Sequence, residues 1–289
     1  MHFVRAKGLL SAQNGMNIYR GCTHGCIYCD SRSECYGMKH AFEDIEVKEN
    51  APELLEDALR RRREKCIIST GSMSDPYMPC EAELRLTRRC LEVIERHGFG
   101  AAVQTKSDLV LRDMDLLKRI NARAKCVVQM TLTTHDEALC RLVEPNVCTT
   151  RRRAQVLRAC QREGIPTVVW LTPILPFIND TQENIRGLLD ICFDAGVKGI
   201  LTFGVPGMTL RTGDREYYYA ALDRHFPGVK AKYVRRYGPS YELPSEDGPR
   251  LARIIRSACE AHGVMWESGE IFAYLNEFPR RAEQLSFLE

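Results

Sequence analysis

Three cysteines lie within eight consecutive residues near the start of the chain, at Cys22, Cys26 and Cys29. Cysteine thiolates are soft ligands that suit iron–sulfur clusters or zinc. The three sulfurs converge only if the backbone curls tightly, and Gly21 and Gly25 permit that curl. Three ligands on a cluster of four irons leave one iron open, whereas a structural site normally has four protein ligands. The spacing therefore predicts a cluster with one iron free to bind a ligand or substrate.

Two other interpretations of these cysteines stay open from the residues alone. One is a zinc site completed by His24 or Cys35, and the other is a chance cluster that binds no metal. The remaining cysteines show no second tight spacing, so we expect no second cluster. The chain has 13 cysteines in 289 residues, too few for a disulfide scaffold, and its first residues lack a signal core. We therefore expect a reduced, cytoplasmic protein.

Composition and charge bound the class of protein. At 44% hydrophobic and 27% charged residues, the chain is typical of a globular protein and is not collagen-like, disordered or a coiled coil. A net charge of +3 neither indicates nor excludes a nucleic-acid partner. The most apolar stretch, residues 165–178, contains three prolines, so we expect no membrane span.

The elements that must position the cysteines alternate between strand-like and helix-like segments. Amphipathic helices are expected to begin near Pro52, Arg153, Ile185 and Leu251. Alternating strands and helices are typical of βαβ units and a parallel sheet, here either doubly wound or a barrel of fewer than eight strands. A core at residues 1–229 with a C-terminal extension at 230–289 is the expected organisation. The six expected strands are Met16–Tyr19, Cys66–Thr70, Ala101–Thr105, Cys126–Thr131, Thr167–Leu171 and Gly199–Phe203.

The chain resembles the radical SAM superfamily, whose hallmark is this C-x₃-C-x₂-C loop after the first strand of a partial (β/α)₆ barrel. Within the superfamily it is similar to the spore photoproduct lyase-like branch, through five segments spread in order over the chain. The resemblance implies an α/β fold with a partial (β/α)₆ TIM-like barrel of parallel strands and a short C-terminal extension. The five segments are Gly21–Cys29, Ser74–Glu81, Thr105–Ser107, Glu144–Pro145 and Pro173–Asp180.

The resemblance also implies the cofactors and their chemistry. A [4Fe–4S] cluster held by Cys22, Cys26 and Cys29 would bind S-adenosylmethionine at its open iron. One-electron cleavage of the sulfonium would give methionine and a 5′-deoxyadenosyl radical, which takes a hydrogen atom from the substrate. This chemistry needs a reducing partner such as flavodoxin or ferredoxin. The protein must supply counter-charges for the methionine end and exclude water from the radical.

Candidate cofactor contacts follow the expected strands at their carboxyl ends. Asp75, with the Ser74 hydroxyl beside it, is a candidate partner of the methionine amino group. Lys106 is a candidate partner of the methionine carboxylate. Each residue also has a structural alternative, as a turn former, a surface charge, a packed side chain or a polar barrel residue. Further candidates are Tyr28 beside the cofactor, and Gln129, Thr131 and Arg153 for the ribose or the carboxylate.

Two departures from the lyase pattern bear on the substrate. Ser72 stands where the lyase has a hydrogen-donating cysteine, and a hydroxyl hydrogen is held too tightly for that task. Asp30 stands where the lyase has a tyrosine after the third cluster cysteine. The catalytic residues therefore stay unknown, with Cys80 as a candidate hydrogen donor. In the last of the five segments, Asp180 to Glu183 predicts a capping box with Asp180 as the N-cap.

The segment Lys230–Tyr237 alternates basic and aromatic residues, which predicts a hairpin that stacks bases and contacts phosphates. The alternative is an edge strand protected by charge. Three functions stay open: a radical SAM enzyme of unknown substrate, a non-catalytic zinc or iron–sulfur module that binds nucleic acid, and a DNA photoproduct repair lyase. We favour the first.

Overall fold

The structure is a computed structural model that describes residues 1–71 and 73–279 of the chain. Its strands are β1 (His2–Val4), β2 (Gly15–Met16), β3 (Tyr19–Arg20), β4 (Glu46–Lys48), β5 (Ile67–Thr70), β6 (Gly100–Thr105), β7 (Cys126–Thr131), β8 (Thr167–Trp170), β9 (Gly199–Leu201), β10 (Gly207–Thr209) and β11 (Glu242–Pro244). Its α-helices are α1 (Ala51–Arg60), α2 (Glu81–Leu84), α3 (Leu86–Arg96), α4 (Met114–Arg123), α5 (Glu137–Val143), α6 (Thr150–Arg162), α7 (Gln182–Asp194), α8 (Asp214–His225), α9 (Val229–Tyr237), α10 (Gly248–His262) and α11 (Ser268–Asn276). Short 3₁₀ turns lie at Asp30–Arg32, Glu34–Tyr36 and Asp108–Asp113.

Six parallel strands form the central sheet, in the order β2-β5-β6-β7-β8-β9. Their order in the sheet is their order along the chain, and helices lie in the connections, as parallel pairing requires. Within the residues that the structure describes, β2 and β9 do not pair with each other, so the sheet is open rather than a closed barrel. The predicted α/β class with parallel strands is confirmed, in an arrangement consistent with a partial barrel.

The first expected strand, Met16–Tyr19, is wrong in its extent because it divides between two sheets. Met16 pairs with Thr70 in the central sheet, whereas Tyr19 pairs antiparallel with Val47 in a three-stranded sheet of order β1-β4-β3. The reason is competition for the backbone, because the Lys48 amide donates to the Ile18 carbonyl and draws the chain towards β4. The cysteine loop therefore leaves from the small sheet rather than directly from the barrel-like sheet.

The main core lies between the sheet and its helices. Alternate residues of the buried strands, such as Val103, Val128 and Val169, pack there against Leu157 of α6 and Leu188 of α7. The helices expected from periodicity are present as α1, α6, α7 and α10. Among the described helices, none is long and apolar enough to cross a bilayer.

The C-terminal segments pack onto the rest of the chain. β11 pairs with β10 and so joins residues on both sides of position 229, while Leu251 and Ile255 of α10 belong to the main core. Ile271 of α11 packs with Val127 and Val168 on the other face of the sheet. The division into 1–229 and 230–289 stays a prediction.

The expected hairpin at Lys230–Tyr237 is wrong, because this segment is helix α9. Val229, Tyr233 and Tyr237 are spaced by four residues, so a helix brings them to one face, where Tyr233 and Tyr237 are buried. The Tyr233 hydroxyl donates to the Pro176 carbonyl at 2.8 Å. These two rings are therefore part of a core and not available for base stacking.

The predicted N-cap of α7 is wrong by one residue. Thr181 is the N-cap, and its hydroxyl accepts the Asn184 amide at 3.1 Å. The Asp180 carboxylate instead accepts the Ser245 hydroxyl at 2.6 Å, which joins the start of α7 to the segment after β11. The Asp180 carboxylate therefore binds the Ser245 hydroxyl, and Thr181 rather than Asp180 caps the helix.

Candidate active site at the carboxyl ends of the strands

The cysteine loop curls because of its glycines and because neighbouring segments bind its backbone. Gly21 has φ +88°, and a Cβ there would lie 2.4 Å from the Phe42 carbonyl oxygen. That carbonyl accepts the Cys22 amide at 3.0 Å. On the other side, Asn146 donates its backbone amide to the His24 carbonyl at 3.1 Å and its side-chain amide to the Thr23 carbonyl at 2.9 Å. The loop conformation is therefore fixed by tertiary contacts at both ends.

The three loop cysteines are free thiols at the inner end of this curl, with Cys22 and Cys26 buried and Cys29 half-buried. Burial raises the pKa of the Cys22 thiol to about 12 and that of the Cys26 thiol well above its usual range. Buried thiols of this kind bind a metal only with loss of their protons. The donor set is therefore three unpaired sulfurs in a largely dry setting, which fits an iron–sulfur cluster.

The spacing of the loop cysteines is a poor fit to a mononuclear zinc site. Four ligands at about 2.3 Å from zinc bring sulfurs to about 3.8 Å of one another. In the part of the chain that the structure describes, donor atoms of three or more His, Cys, Asp or Glu lie within 4.8 Å of one another only at His2, His40 and Glu46. The proposed fourth ligands also have other roles, since His24 lies 3.5 Å from Asp75 and Cys35 is exposed beside Arg211.

A buried chain of polar side chains connects the loop to the carboxyl end of β7. The Tyr28 hydroxyl donates to Glu144, and Glu144 forms an ion pair with Arg153, all three side chains being buried. The Arg153 guanidinium also donates to the Thr131 carbonyl at 2.8 Å and to the Cys148 carbonyl at 2.9 Å. Burial raises the pKa of Glu144, but Arg153 and Lys106 outweigh it, so the net pKa is below its usual value. Tyr28 and Arg153 are thus positioned by each other through Glu144.

The side chains of Asp75 and Ser74 already form hydrogen bonds with other residues of the protein. One Asp75 oxygen accepts the Tyr77 amide at 2.9 Å and the Thr105 hydroxyl at 2.6 Å, and the other accepts the Lys106 amide at 2.7 Å. Ser74 is buried and donates to the Tyr19 carbonyl at 2.7 Å. These contacts bind the segment after β5 to the end of β6 and to β3.

Lys106 follows β6 directly, and its ammonium group faces the cysteine loop. Its Nζ lies 6.0 Å from the Tyr28 ring centroid and has no hydrogen bond or ion pair with any residue that the structure describes. Burial lowers the pKa of this lysine, but the charges of Cys26, Glu144 and Asp75 outweigh it and the net pKa is raised. The side chain is therefore a half-buried cation without a hydrogen-bonding partner of its own.

A cavity of about 660 Å³ opens beside these residues. Its volume is within the roughly 300–1,000 Å³ of small-molecule sites. Tyr28, Cys29, Asp30 and Lys106 line one wall, while residues after β8 and β9 and the β10–β11 pair line the rest. The cavity therefore lies at the carboxyl ends of the strands, where α/β folds bind their ligands.

Several residues predicted from the sequence lie away from the described cavity lining. Gln129 is buried within β7 and accepts the Trp170 indole N–H at 2.9 Å, and Thr131 is buried at the end of the same strand. Cys80 packs against the main core. Ser72 lies outside the described residues.

Glu144 lies in one of the five matching segments, but its residue type alone predicts no role at the site. The sequence shows there only a carboxylate next to a proline, a pattern that is also typical of an ordinary turn. His24 was considered only as a zinc ligand, whereas its ring is buried near Asp75. Both residues gain their role from neighbours distant in sequence.

The comparisons with known proteins give the family of the chain. The profile of the Radical SAM superfamily matches residues 16–189, more than half of the chain. The chain therefore belongs to the radical SAM superfamily and is a radical SAM enzyme by family. Solved structures of spore photoproduct lyase, the branch that the five segments resemble, share the fold of this chain.

Individual relatives give the extent of the similarity. An uncharacterised protein of Mycobacterium tuberculosis is 28% identical over 242 residues, covering 79% of this chain and 68% of the relative. An uncharacterised protein of Methanocaldococcus jannaschii is 33% identical, covering 58% of this chain and 62% of the relative. A spore photoproduct lyase variant with bound AdoMet and dinucleoside spore photoproduct has a TM-score of 0.61 at 15% identity, covering 86% of this chain and 74% of the lyase. At that identity, the lyase shares the fold alone.

We predict that Glu144→Gln lowers the free energy of unfolding by about 3–5 kcal/mol, because it leaves the Arg153 guanidinium buried without its counter-ion. The measurement is urea denaturation of the full chain. Combining Glu144→Gln with Arg153→Met removes both charges, so the double variant should lose less than the sum of the two single variants. Additive losses would contradict direct coupling between the two side chains.

Proposed function

We propose that Cys22, Cys26 and Cys29 hold a [4Fe–4S] cluster and that the chain uses it with S-adenosylmethionine in radical chemistry. When bound, the cluster supplies the electron that cleaves the sulfonium to methionine and a 5′-deoxyadenosyl radical, which removes a hydrogen atom from the substrate. The observation that carries the proposal is the Lys106 ammonium, a half-buried cation that lines the cavity next to the loop and has no hydrogen-bonding partner among the described residues.

In this proposal, Lys106 binds the carboxylate of S-adenosylmethionine. A charge-assisted hydrogen bond in a half-buried setting is stronger than one in water. Lys106 also offsets the negative charge of three thiolates, since Cys26 and Cys29 are among the charges that raise its pKa. One cation thus serves both the methionine end of the cofactor and the charge balance of the site.

Asp75 and Arg153 act as positioning residues in this proposal. The Asp75 oxygens already accept three hydrogen bonds, one of them from the Lys106 backbone amide. Asp75 therefore fixes the position of the Lys106 backbone. Arg153 acts through Glu144 on Tyr28, which lies between two of the cysteines. These contacts favour positioning roles over direct contact of Asp75 with the amino group and of Arg153 with the carboxylate. Ser74 stays a candidate beside Asp75 for the amino group, and Gln129 and Thr131 stay candidates for the ribose or the carboxylate.

We further propose that the substrate contains a nucleobase. Phe203 and Tyr241 line the cavity with 55% and 43% of their surface exposed, and the Arg211 guanidinium lies 4.6 Å from the Tyr241 ring centroid. Bases stack on exposed aromatic rings, and an arginine supplies charge for a phosphate. The dinucleoside named for the spore photoproduct lyase variant adds support. Repair of a DNA photoproduct is the narrower form of this proposal.

The partners and compartment follow from the same chemistry. A one-electron step requires a reductant, for which flavodoxin or ferredoxin is the proposed class. All 13 cysteines are free thiols in the structure. Free thiols and an oxygen-sensitive cluster support a reducing compartment such as the cytoplasm.

The proposal is tested by anaerobic reconstitution with iron and sulfide, followed by dithionite and S-adenosylmethionine. We expect about four irons per chain and formation of 5′-deoxyadenosine, and Cys26→Ala should reduce both to background. Cys35→Ala is the matched control, because its exposed thiol lies outside the loop and should leave both values unchanged. A single zinc per chain, or a fully loaded cluster that yields no 5′-deoxyadenosine, would exclude the proposal.

The role of Lys106 is tested by binding of S-adenosylmethionine to the cluster-loaded protein. Lys106→Met should weaken binding about tenfold to hundredfold, because it removes one charge-assisted hydrogen bond. Lys125→Met is the control, since Lys125 is also half-buried but precedes β7 at the opposite end of the strands. Equal affinities for the two variants would refute the contact.

The substrate class is tested with single-stranded oligonucleotides in the same assay. We expect them to stimulate 5′-deoxyadenosine formation, and Phe203→Ala should raise their KM about tenfold through loss of stacking. Phe272→Ala is the control, an exposed ring that packs near Phe203 but is not in the cavity lining. If oligonucleotides give no stimulation, the nucleobase proposal is wrong while the cofactor chemistry is unaffected.

A further inference from the structure

We infer that His2, His40 and Glu46 form a second metal site, for a divalent ion of the zinc type, separate from the cysteine loop. His2 is in β1, Glu46 is in β4, and these two residues are directly paired in the parallel β1–β4 ladder. His40 comes from the segment between the cysteine loop and β4. Their donor atoms all lie within 4.8 Å of one another.

The hydrogen bonds described for the two histidine rings involve Nδ1 and not Nε2. His2 Nδ1 lies 3.0 Å from the Asp44 carboxylate, and His40 Nδ1 lies 3.0 Å from the Ala41 carbonyl oxygen. Both partners are acceptors, so a neutral ring at either position is the Nδ1–H tautomer, which leaves Nε2 as its metal-binding atom. A carboxylate or carbonyl behind the ring is the usual support of a metal-binding histidine.

An unsatisfied buried atom points to a missing ligand. His40 Nε2 is buried and has no hydrogen-bond partner within the described chain. Its nearest anionic atom is Glu46 Oε2 at 3.9 Å, too long for a hydrogen bond. Two ligands at about 2.0–2.2 Å from one ion lie about 3–4 Å apart, so an ion between these atoms would satisfy both.

The neighbouring cations form their described hydrogen bonds away from Glu46. Arg20 is paired with Glu46 across the strands, but its guanidinium donates to the Tyr36 carbonyl at 2.6 Å. Lys48 donates to the Asn17 carbonyl at 2.9 Å. The Glu46 carboxylate is therefore available, and two imidazoles with one carboxylate are a recurrent zinc ligand set with a fourth position for water.

The site lies next to the backbone that shapes the cysteine loop. His40 and Glu46 flank Phe42, whose carbonyl accepts the Cys22 amide and closely approaches Gly21. An ion that joins His40 to β1 and β4 would therefore restrain the segment that carries Phe42.

The test is equilibrium dialysis of the cluster-loaded full chain against Zn²⁺, with zinc counted by elemental analysis. We expect one zinc per chain, lost in His40→Ala and in Glu46→Gln, while iron content and the circular dichroism spectrum stay unchanged. Asp44→Asn should weaken zinc binding about tenfold to hundredfold, because it removes the support of His2. His97→Ala is the matched control, since His97 forms an ordinary 2.6 Å pair with Glu56 and should bind zinc as the parent does.

A second arm separates this site from the loop thiols. A variant with all three loop cysteines changed to alanine cannot bind zinc there, and we expect it to retain the one zinc per chain. This arm stands whether or not the cysteines hold a cluster. The inference fails if the triple variant binds no zinc, or if His2→Ala, His40→Ala and Glu46→Gln all bind zinc as tightly as His97→Ala.

Discussion

The ion pair between Glu144 and Arg153 is the interaction on which the site most depends. Both side chains are fully buried, so neither charge is tolerated without the other. Together they hold the Tyr28 hydroxyl on one side and the carboxyl end of β7 on the other. The loop that carries the three cysteines is thereby attached to the most buried strand of the sheet. Its sulfurs can then keep a fixed arrangement, as a preorganised ligand set requires.

A second constraint is the charge of Lys106. An isolated ammonium in a half-buried position is unfavourable unless neighbouring anions stabilise it. The charges of Cys26, Glu144 and Asp75 do so and raise the pKa of Lys106. No ion pair with Nζ is present among the described residues. The Lys106 ammonium thus stays charged while it forms no hydrogen bond or ion pair with the described residues. This arrangement is typical of a side chain that is completed by its ligand, and it connects the loop, the strand ends and the cavity into one site.

The open sheet explains where the cavity lies and what surrounds it. β2 and β9 do not pair in the described chain, and the β10–β11 pair lines part of the cavity at the strand ends. The cavity wall beside the cysteines is polar and that after β9 is aromatic and exposed. In the proposed function, the cofactor and the substrate would occupy adjacent parts of this one cavity.

The residues alone predicted the cysteine loop, the parallel sheet and its six strands, because ligand spacing, glycines and hydrophobic period are local properties. The same local information was insufficient where partners are distant. Met16–Tyr19 divides between sheets because β4 competes for its backbone, and the Lys230–Tyr237 segment is helical because Tyr233 and Tyr237 pack into a core. Glu144 and Lys106 acquire their roles only from residues brought beside them by folding. Charge, burial and hydrogen-bond satisfaction are pairwise quantities, so only the tertiary structure decided them.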